Sequence, residues 1–386
     1  MIDNVTYKKL GEIVDILNGF AFKSSEYVSG GIRVIRIANV QKGAIVDDAP
    51  AFYPLSKEPE LKRYMLREDD ILMSLTGNVG RVGLLPKEML PAALNQRVAC
   101  LRLKDDAVDF KFLYRFLNSD FFEQKCIASS RGIAQLNMST EWLKEQLIPV
   151  PSLEDQQRIV RELDAIHAIL TAKNEQLHEL DNLAQALFYD MFGDPITNEK
   201  GWDVKKITDC CDAITGITYK PDDLDDSGMI VLRSGNIQNG TIDYEDIVRV
   251  KKSIAEKYII HEGDILMCSR NGSFRLVGKA AIIPPIKERM TWGAFMTVLR
   301  SDCNPYLLAF LRTSAFRDQL TTAKTTTVNQ ITIGMLGKMW MPCPPLDLQQ
   351  SFASKITAIE QQKELIRASI AETETLLAAR MQYYFD

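Results

Sequence analysis

A ladder of apolar residues climbs from Ile159 through Leu163, Ile166, Leu170, Lys173, Leu177, Leu180, Ala184 and Leu187 to Met191, in alternating steps of four and three. Such a heptad predicts one long helix over 152–192 that offers a narrow seam to a partner helix. Neither Pro nor Gly interrupts it before Gly193-Asp194-Pro195, which reads as a stop. At 1.5 Å per residue such a helix is roughly 55 Å long. One globular core does not need that length; a spacer does.

The partner lies in the same chain. Phe352, Ile356, Ile359, Lys363, Ile366, Ile370, Thr373, Leu377, Arg380 and Tyr384 repeat the ladder 193 positions later. Both ladders share an entrance: Pro149-Val150-Pro151-Ser152-Leu153-Glu154-Asp155-Gln156-Gln157 is echoed by Pro342-Cys343-Pro344-Pro345-Leu346-Asp347-Leu348-Gln349-Gln350. The chain is therefore a duplication. For the second seam to meet the first, the second helix must run back. The expected fold is α+β: two similar globular domains (1–150 and 195–342) separated by an antiparallel two-helix coiled coil (151–194 and 343–386), a pseudo-two-fold internal repeat. Lys173 and Lys363, on the seam, are expected to snorkel toward water and to fix register.

The 386 residues allow about two domains with cores of their own. No apolar run approaches the roughly 20 residues of a membrane span. Met1-Ile2-Asp3-Asn4 lacks the basic region of a signal peptide. Seven cysteines without CxxC spacing and three dispersed histidines predict reduced thiols, a cytoplasmic location and no metal site. His167 and His178 fall on the first long helix, on a face expected to be solvated.

A net charge of −5 argues weakly against nucleic acid, but its distribution points the other way. Residues 154–194 carry nine acids and three bases, and 346–386 carry six acids and four bases. With the helices at −6 and −2, the rest of the chain is +3. Acidic helices cannot hug phosphates, so any DNA contact falls to the globular segments.

Those segments share one order. Lys8–Val14 and Lys205–Asp209 read as short helices, Gly19–Ser24 and Gly216–Lys220 as loops. Gly31–Val40, Glu68–Leu75 and Leu94–Leu103 read as strands, and Phe110–Cys126 has helical periodicity with aromatic anchors. Val231–Gly240 matches Val34–Gly43, and Tyr258–Met267 matches Tyr64–Met73. The framework repeats while the loops differ. Thr76–Gly83 is replaced by Cys268–Arg275, Arg131–Gln135 by Thr325–Gln330, and Leu94-Asn95-Gln96-Arg97 by Thr291-Trp292-Gly293-Ala294-Phe295. Two sites of one architecture with different loop chemistry imply two related but unequal targets, such as half-sites on opposite strands of a duplex.

Two such segments, each followed by a Pro-rich elbow, a Gln-Gln turn and a long helix, resemble the DNA specificity subunit of type I restriction-modification systems. The most specific parts are Ile148-Pro149-Val150-Pro151 with Gln156-Gln157-Arg158-Ile159-Val160, and Met341-Pro342-Cys343-Pro344-Pro345 with Gln349-Gln350. The resemblance implies a non-catalytic subunit that binds a bipartite double-stranded DNA sequence. It implies two methyltransferase partner subunits and motor-nuclease subunits. No cofactor is expected in this chain; S-adenosylmethionine, ATP and Mg belong to the partners. Consistently, Asn304-Pro305-Tyr306 lacks the second Pro of an adenine-methylation motif, and neither a Walker A loop nor a GxGxxG after a strand is present.

Base reading needs donors and acceptors on loops that reach a groove, flanked by phosphate binders. In the first segment these are Ser74, Thr76, Asn78, Arg81, Gln96, Arg97, Arg131 and Gln135. In the second they are Ser269, Arg270, Asn271, Ser273, Arg275, Lys324, Thr326, Asn329 and Gln330. Lys23 and Lys220 hold equivalent positions suited to phosphates. The plainer reading is that Gly-Asn pairs are turns and scattered Arg is solvated surface. Asp155, Arg158, Gln349 and Gln350, expected to be exposed at the helix starts, are candidates for partner contact. The alternative is a stand-alone nuclease or methyltransferase. It would need a metal-binding carboxylate cluster or a cofactor loop, and the densest carboxylate group, Asp222, Asp223, Asp225 and Asp226, reads better as a turn. A coiled-coil adaptor without DNA binding leaves the duplicated basic loops unexplained.

Overall fold

A computed structural model describes residues 5–130, 137–322 and 329–385. The chain divides into two compact units, Met1–Asn174 with Ala368–Asp386, and Glu175–Arg367. Two helices of 40 residues, Leu153–Phe192 and Leu346–Phe385, each contribute to both units; at 1.5 Å per residue each is about 60 Å long.

Within the first unit, Lys173 donates to Ser369 Oγ (2.6 Å) and Thr373 Oγ1 (2.8 Å). Glu162 pairs with Arg380 at 2.6 Å and accepts from Tyr384. Rising numbers on one helix meet falling numbers on the other, so these segments run antiparallel. The second unit repeats the pattern: Asp181 meets Lys363 at 2.7 Å, and the ring of Phe192 lies 5.2 Å from that of Phe352. Burial along the seam is uneven. Ile159 and Leu163 are buried, whereas Leu177, Leu180 and Ile370 are half-buried, because two helices alone shield one another on one side only.

The seam lysines do not snorkel. The Lys363 side chain is 7% exposed, between Asp181 (2.7 Å) and Glu360 (2.9 Å). An ammonium enclosed by two helices needs partners at hand, and Lys173 finds them in hydroxyls. His167 is not on a solvated face either: it is half-buried, with Nε2 3.1 Å from Arg115 Nη1.

Each unit carries the same sheets. In the first, Val14–Asn18, Val98–Leu103, Ile71–Ser74 and Val82–Leu84 form a four-stranded antiparallel sheet in that order. Phe52–Tyr53, Ile32–Ile35 and Ala92–Leu94 form a three-stranded one, its last pair parallel. In the second unit the counterparts are Asp212–Thr215, Met296–Arg300, Ile265–Cys268 and Ala280–Ile282, then Val248–Val250, Leu224–Leu232 and Met290–Trp292. Ile71–Ser74 and Ile265–Cys268 are buried throughout, which is why they read as unbroken apolar runs. Each is preceded by a buried Asp gripped by a two-pronged Arg: Asp70 by Arg102 (2.8 and 2.7 Å), Asp264 by Arg300 (2.9 and 2.8 Å).

The structure corrects several expected elements. Thr6–Lys9 is a strand paired with the elbow, Leu147–Val150, and only Leu10–Ile13 is helical. Val204–Lys206 pairs likewise with Trp340–Pro342; prolines are tolerated in such two-stranded edges. The strand expected over 31–40 stops at Ile35, because Asn39 and its counterpart Asn236 bury their side chains to close a 3-10 turn, accepting from Arg36 N and Arg233 N. The helical stretch is two helices, Phe110–Leu117 and Asp120–Ser129, the second capped by Ser119. The strand expected over 94–103 breaks at residues 95–97 into Ala92–Leu94 and Val98–Leu103. That break builds part of the site.

Candidate nucleic-acid interface

In the first unit, several chain segments meet where the strand Ile71–Ser74 ends. The loop after it is tied to the turn at residues 95–97 by Leu75 N to Arg97 O (3.0 Å) and to the next segment by Met138 N to Leu75 O (2.8 Å). Phe20 binds the same turn on its other side, donating to Leu94 O and accepting from Gln96 N (2.8 and 2.9 Å). Gly19 makes this approach possible: a Cβ there would lie 2.2 Å from the Asn95 backbone.

The second unit repeats the arrangement bond for bond. Ser269 N donates to Phe295 O (2.8 Å), Ile331 N to Ser269 O (2.7 Å), and Ile217 N to Trp292 O (2.9 Å). A Cβ on Gly216 would lie 2.3 Å from the Trp292 and Gly293 carbonyl oxygens. Thr76 bridges Asn137, and Arg270 bridges Gln330. Backbone equivalence therefore sets Thr76 beside Arg270, Asn137 beside Gln330, and Arg97 beside Phe295. One scaffold presents different side chains.

Most of the candidate readers are available to solvent. Asn78, Gln96 and Arg97 are exposed, and Arg97 makes no ion pair among the described residues. Arg270, Ser273 and Arg275 are exposed, while Thr76, Asn271, Asn329 and Gln330 are half-buried. Asn271 N donates to Asn329 O (3.2 Å), and Asn329 Nδ2 to Gly272 O (2.9 Å), so these two asparagines also hold their loops together. Lys23 and Lys220 are exposed on the matching loops. Arg81 is partly engaged, donating to Gln41 Oε1 at 2.6 Å. Arg131, Gln135, Lys324 and Thr326 lie outside the described residues.

Two candidates are corrected. Ser74 is 1% exposed; its Oγ donates to Asn78 O and accepts from Arg81 N (3.0 Å). Ser269 is 5% exposed, its Oγ 2.5 Å from Thr297 Oγ1. Ser74, the last residue of its buried strand, staples its loop from beneath, whereas Ser269, one residue past the strand Ile265–Cys268, is tied to Thr297 of the neighbouring strand.

One residue escaped the sequence reading. Phe295 is 57% exposed, and the Arg270 guanidinium carbon lies 5.1 Å from its ring centroid, a cation–π contact. The signal was present in the repeat: its counterpart is Arg97, and a position that carries an Arg in one copy is a surface position in both.

The helix starts differ from expectation. Asp155 is half-buried and accepts from Arg158 (2.9 Å) and Ser152 (2.8 Å). The Arg158 bond, then the Ser152 hydroxyl, hold its carboxyl below the usual range. Gln349 is half-buried, its Nε2 on Pro344 O (2.7 Å). Its counterpart Gln156 is fully buried, donating to Ala107 O (3.0 Å) and Pro151 O (2.8 Å) and accepting from Asp109 N (2.7 Å). The first glutamine of each Gln-Gln pair therefore clamps the elbow. Arg158 and Gln350 are exposed.

Among the described residues no group of three or more His, Cys, Asp or Glu could hold a metal ion, and no helix is long and apolar enough to cross a membrane. Asp222 and Asp223 lie in the expected turn, but Asp225 and Asp226 already belong to the strand Leu224–Leu232.

A family model described as the type I restriction modification DNA specificity domain matches residues 2–181 and 199–375. The MjaVIII specificity subunit of Methanocaldococcus jannaschii is 31% identical over 180 residues, 45% of this chain and 42% of that protein. The EcoAI specificity subunit of Escherichia coli is 33% identical over 190 residues, 46% of this chain and 32% of that protein. The chain thus matches less than half the length of these curated relatives. The MjaIX specificity subunit of Methanocaldococcus jannaschii is 23% identical over 308 residues, 74% of this chain and 69% of that protein. Among solved structures, the S subunit of a type I restriction-modification system from M. genitalium aligns over 99% of this chain and 96% of its own, with a TM-score of 0.53 and 14% identity. A chain from a study of type I R-M complex assembly aligns over 100% of this chain and 98% of its own, with a TM-score of 0.60 and 19% identity. At these identities the structural likeness concerns the fold alone.

Proposed function

Because the chain belongs to the type I restriction-modification DNA specificity family, we propose that it is the non-catalytic subunit that reads a bipartite duplex sequence, one block per unit. It would direct adenine methylation and cleavage carried out by two methyltransferase subunits and motor-nuclease subunits, which would supply S-adenosylmethionine, ATP and Mg. Such work places it in the cytoplasm.

The observation that carries this reading is the repeated loop cluster: the same backbone bonds in both units, with Arg97 and Gln96 in one and Arg270, Asn329 and Gln330 in the other. A scaffold that is conserved within the chain while its exposed donors change is what two different base sequences require. Exposed Lys23 and Lys220 suit phosphate contact, which positions without specifying. The stand-alone enzyme finds no support in Asp222–Asp226, whose carboxylates are split between a turn and a strand.

The test is selection of bound duplexes from a randomised library, followed by titration of Arg97→Ala and Arg270→Ala on the selected sequence. Each loss of a two-pronged base contact is worth about 1–3 kcal/mol. Unchanged affinity and base preference in both variants would refute the assignment.

A further inference from the structure

We infer that Phe295 determines specificity in the second cluster, by covering the C5-methyl group of a thymine. The inference deepens the function proposed above and rests on it.

Phe295 holds the backbone position of Arg97, the first cluster's exposed cation. Its turn is rigid: the Phe295 carbonyl accepts from both Ser269 N (2.8 Å) and Arg270 N (3.0 Å), and Trp292 Nε1 donates to Ile214 O (3.0 Å). Trp292, three residues before, and Met296, the next residue, are both fully buried, yet the Phe295 ring stays 57% in water. It belongs to none of the apolar clusters of the second unit. Its ring contact is the guanidinium of Arg270, which leaves edge N–H groups free to donate beside an apolar face. An exposed phenyl ring has neither donor nor acceptor with which to read a purine edge. In the major groove the base feature it can recognise is the thymine methyl. Arg97, at the same place in the first unit, has the opposite chemistry and suits guanine O6 and N7. The two units thus differ at one equivalent position by charge against apolar surface.

The full chain is tested by selection from a library of randomised duplexes and by titration on the selected duplex. The wild type is expected to select two blocks. Phe295→Ala should leave one block unchanged and lose a thymine in the other. Replacing that thymine by deoxyuridine removes one methyl group and should weaken wild-type binding about fourfold, from about 0.8 kcal/mol per buried carbon, while changing Phe295→Ala binding less than twofold. The deoxyuridine arm needs no variant, so it stands even where Phe295→Ala folds poorly. A wild-type motif retained by Phe295→Ala, or indifference of the wild type to deoxyuridine at every thymine it selects, overturns the inference and leaves the proposed function intact. Selection of no sequence by the wild type overturns the proposed function itself.

Discussion

The clamp at the elbow gives a prediction with its own internal control. Gln156 and Gln349 occupy the same position in the two copies, but their surroundings differ. Gln156 is fully buried and makes three hydrogen bonds, to Ala107 O, Pro151 O and Asp109 N. Asp109 is also the cap of the helix Phe110–Leu117, accepting from Phe112 N at 2.9 Å. Gln156→Ala removes the side-chain partner of all three backbone groups, of which the Pro151 carbonyl is buried and the Ala107 carbonyl lies at an exposed residue. At about 1 kcal/mol for each lost bond, the expected cost is about 3 kcal/mol, and more where the orphaned groups stay dry. Gln349 is half-buried and bonds one carbonyl, Pro344 O, so Gln349→Ala should cost about 1 kcal/mol. In a unit of this size 1 kcal/mol moves the melting temperature by roughly 2–4 °C. Gln156→Ala should therefore lower the first unit's transition by roughly 6–12 °C, and Gln349→Ala the second unit's by a third of that. Calorimetry, which resolves two transitions where the units melt separately, reads both. Gln156→Glu keeps the acceptor, loses both donors and faces two carbonyl oxygens, so it should be at least as damaging as Ala. Equal effects of the two alanine variants would refute the reasoning, because burial and bond number would then not set the cost.

Four further outcomes are expected. Arg102→Met and Arg300→Met each leave a buried carboxylate, Asp70 or Asp264, without its partner; urea denaturation should show a loss of about 3 kcal/mol in each. Lys363→Met replaces a buried ammonium on the helix seam by an apolar chain of similar length, and should leave stability within about 1 kcal/mol of wild type or raise it; a loss of 3 kcal/mol or more would contradict this. Ser74→Ala and Ser269→Ala should lower the melting temperature without changing the selected DNA sequence, since both serines are buried. The Lys8 ammonium, and then the Ala107 N–H, hold the Asp105 carboxyl below the usual carboxylate range. A depressed folded value means this contribution is present above about pH 4 and is lost as pH falls through the folded value. A carboxyl NMR titration should therefore find Asp105 titrating below an unfolded Asp, and Lys8→Met should return it toward that value.

The sequence revealed what is repeated and hid what is buried. The heptad from Ile159 to Met191 and its copy were legible because helix periodicity is local. The paired strands Ile71–Ser74 and Ile265–Cys268 were legible because strong similarity at a fixed offset, Tyr64–Met73 against Tyr258–Met267, needs no knowledge of folding. Ser74 and Ser269 were misread because a buried serine and an exposed one look alike until the strand beside it is known to be buried. Gln349 was misread because its partner, the Pro344 carbonyl, carries no side-chain signal. Phe295 was passed over because an aromatic beside Trp292 reads as core. Lys363 failed differently: the long-stem argument for snorkelling ignores Asp181, a partner that only the antiparallel register supplies.

The central claim, that two dissimilar loop clusters on one repeated scaffold read two separate pieces of DNA, is tested most directly by mapping methylated adenines genome-wide in cells with and without this chain. The expected result is methylation at a sequence of two defined blocks separated by unspecified base pairs, lost when the chain is absent. An unchanged set of methylated sites, or a single uninterrupted target, would contradict it.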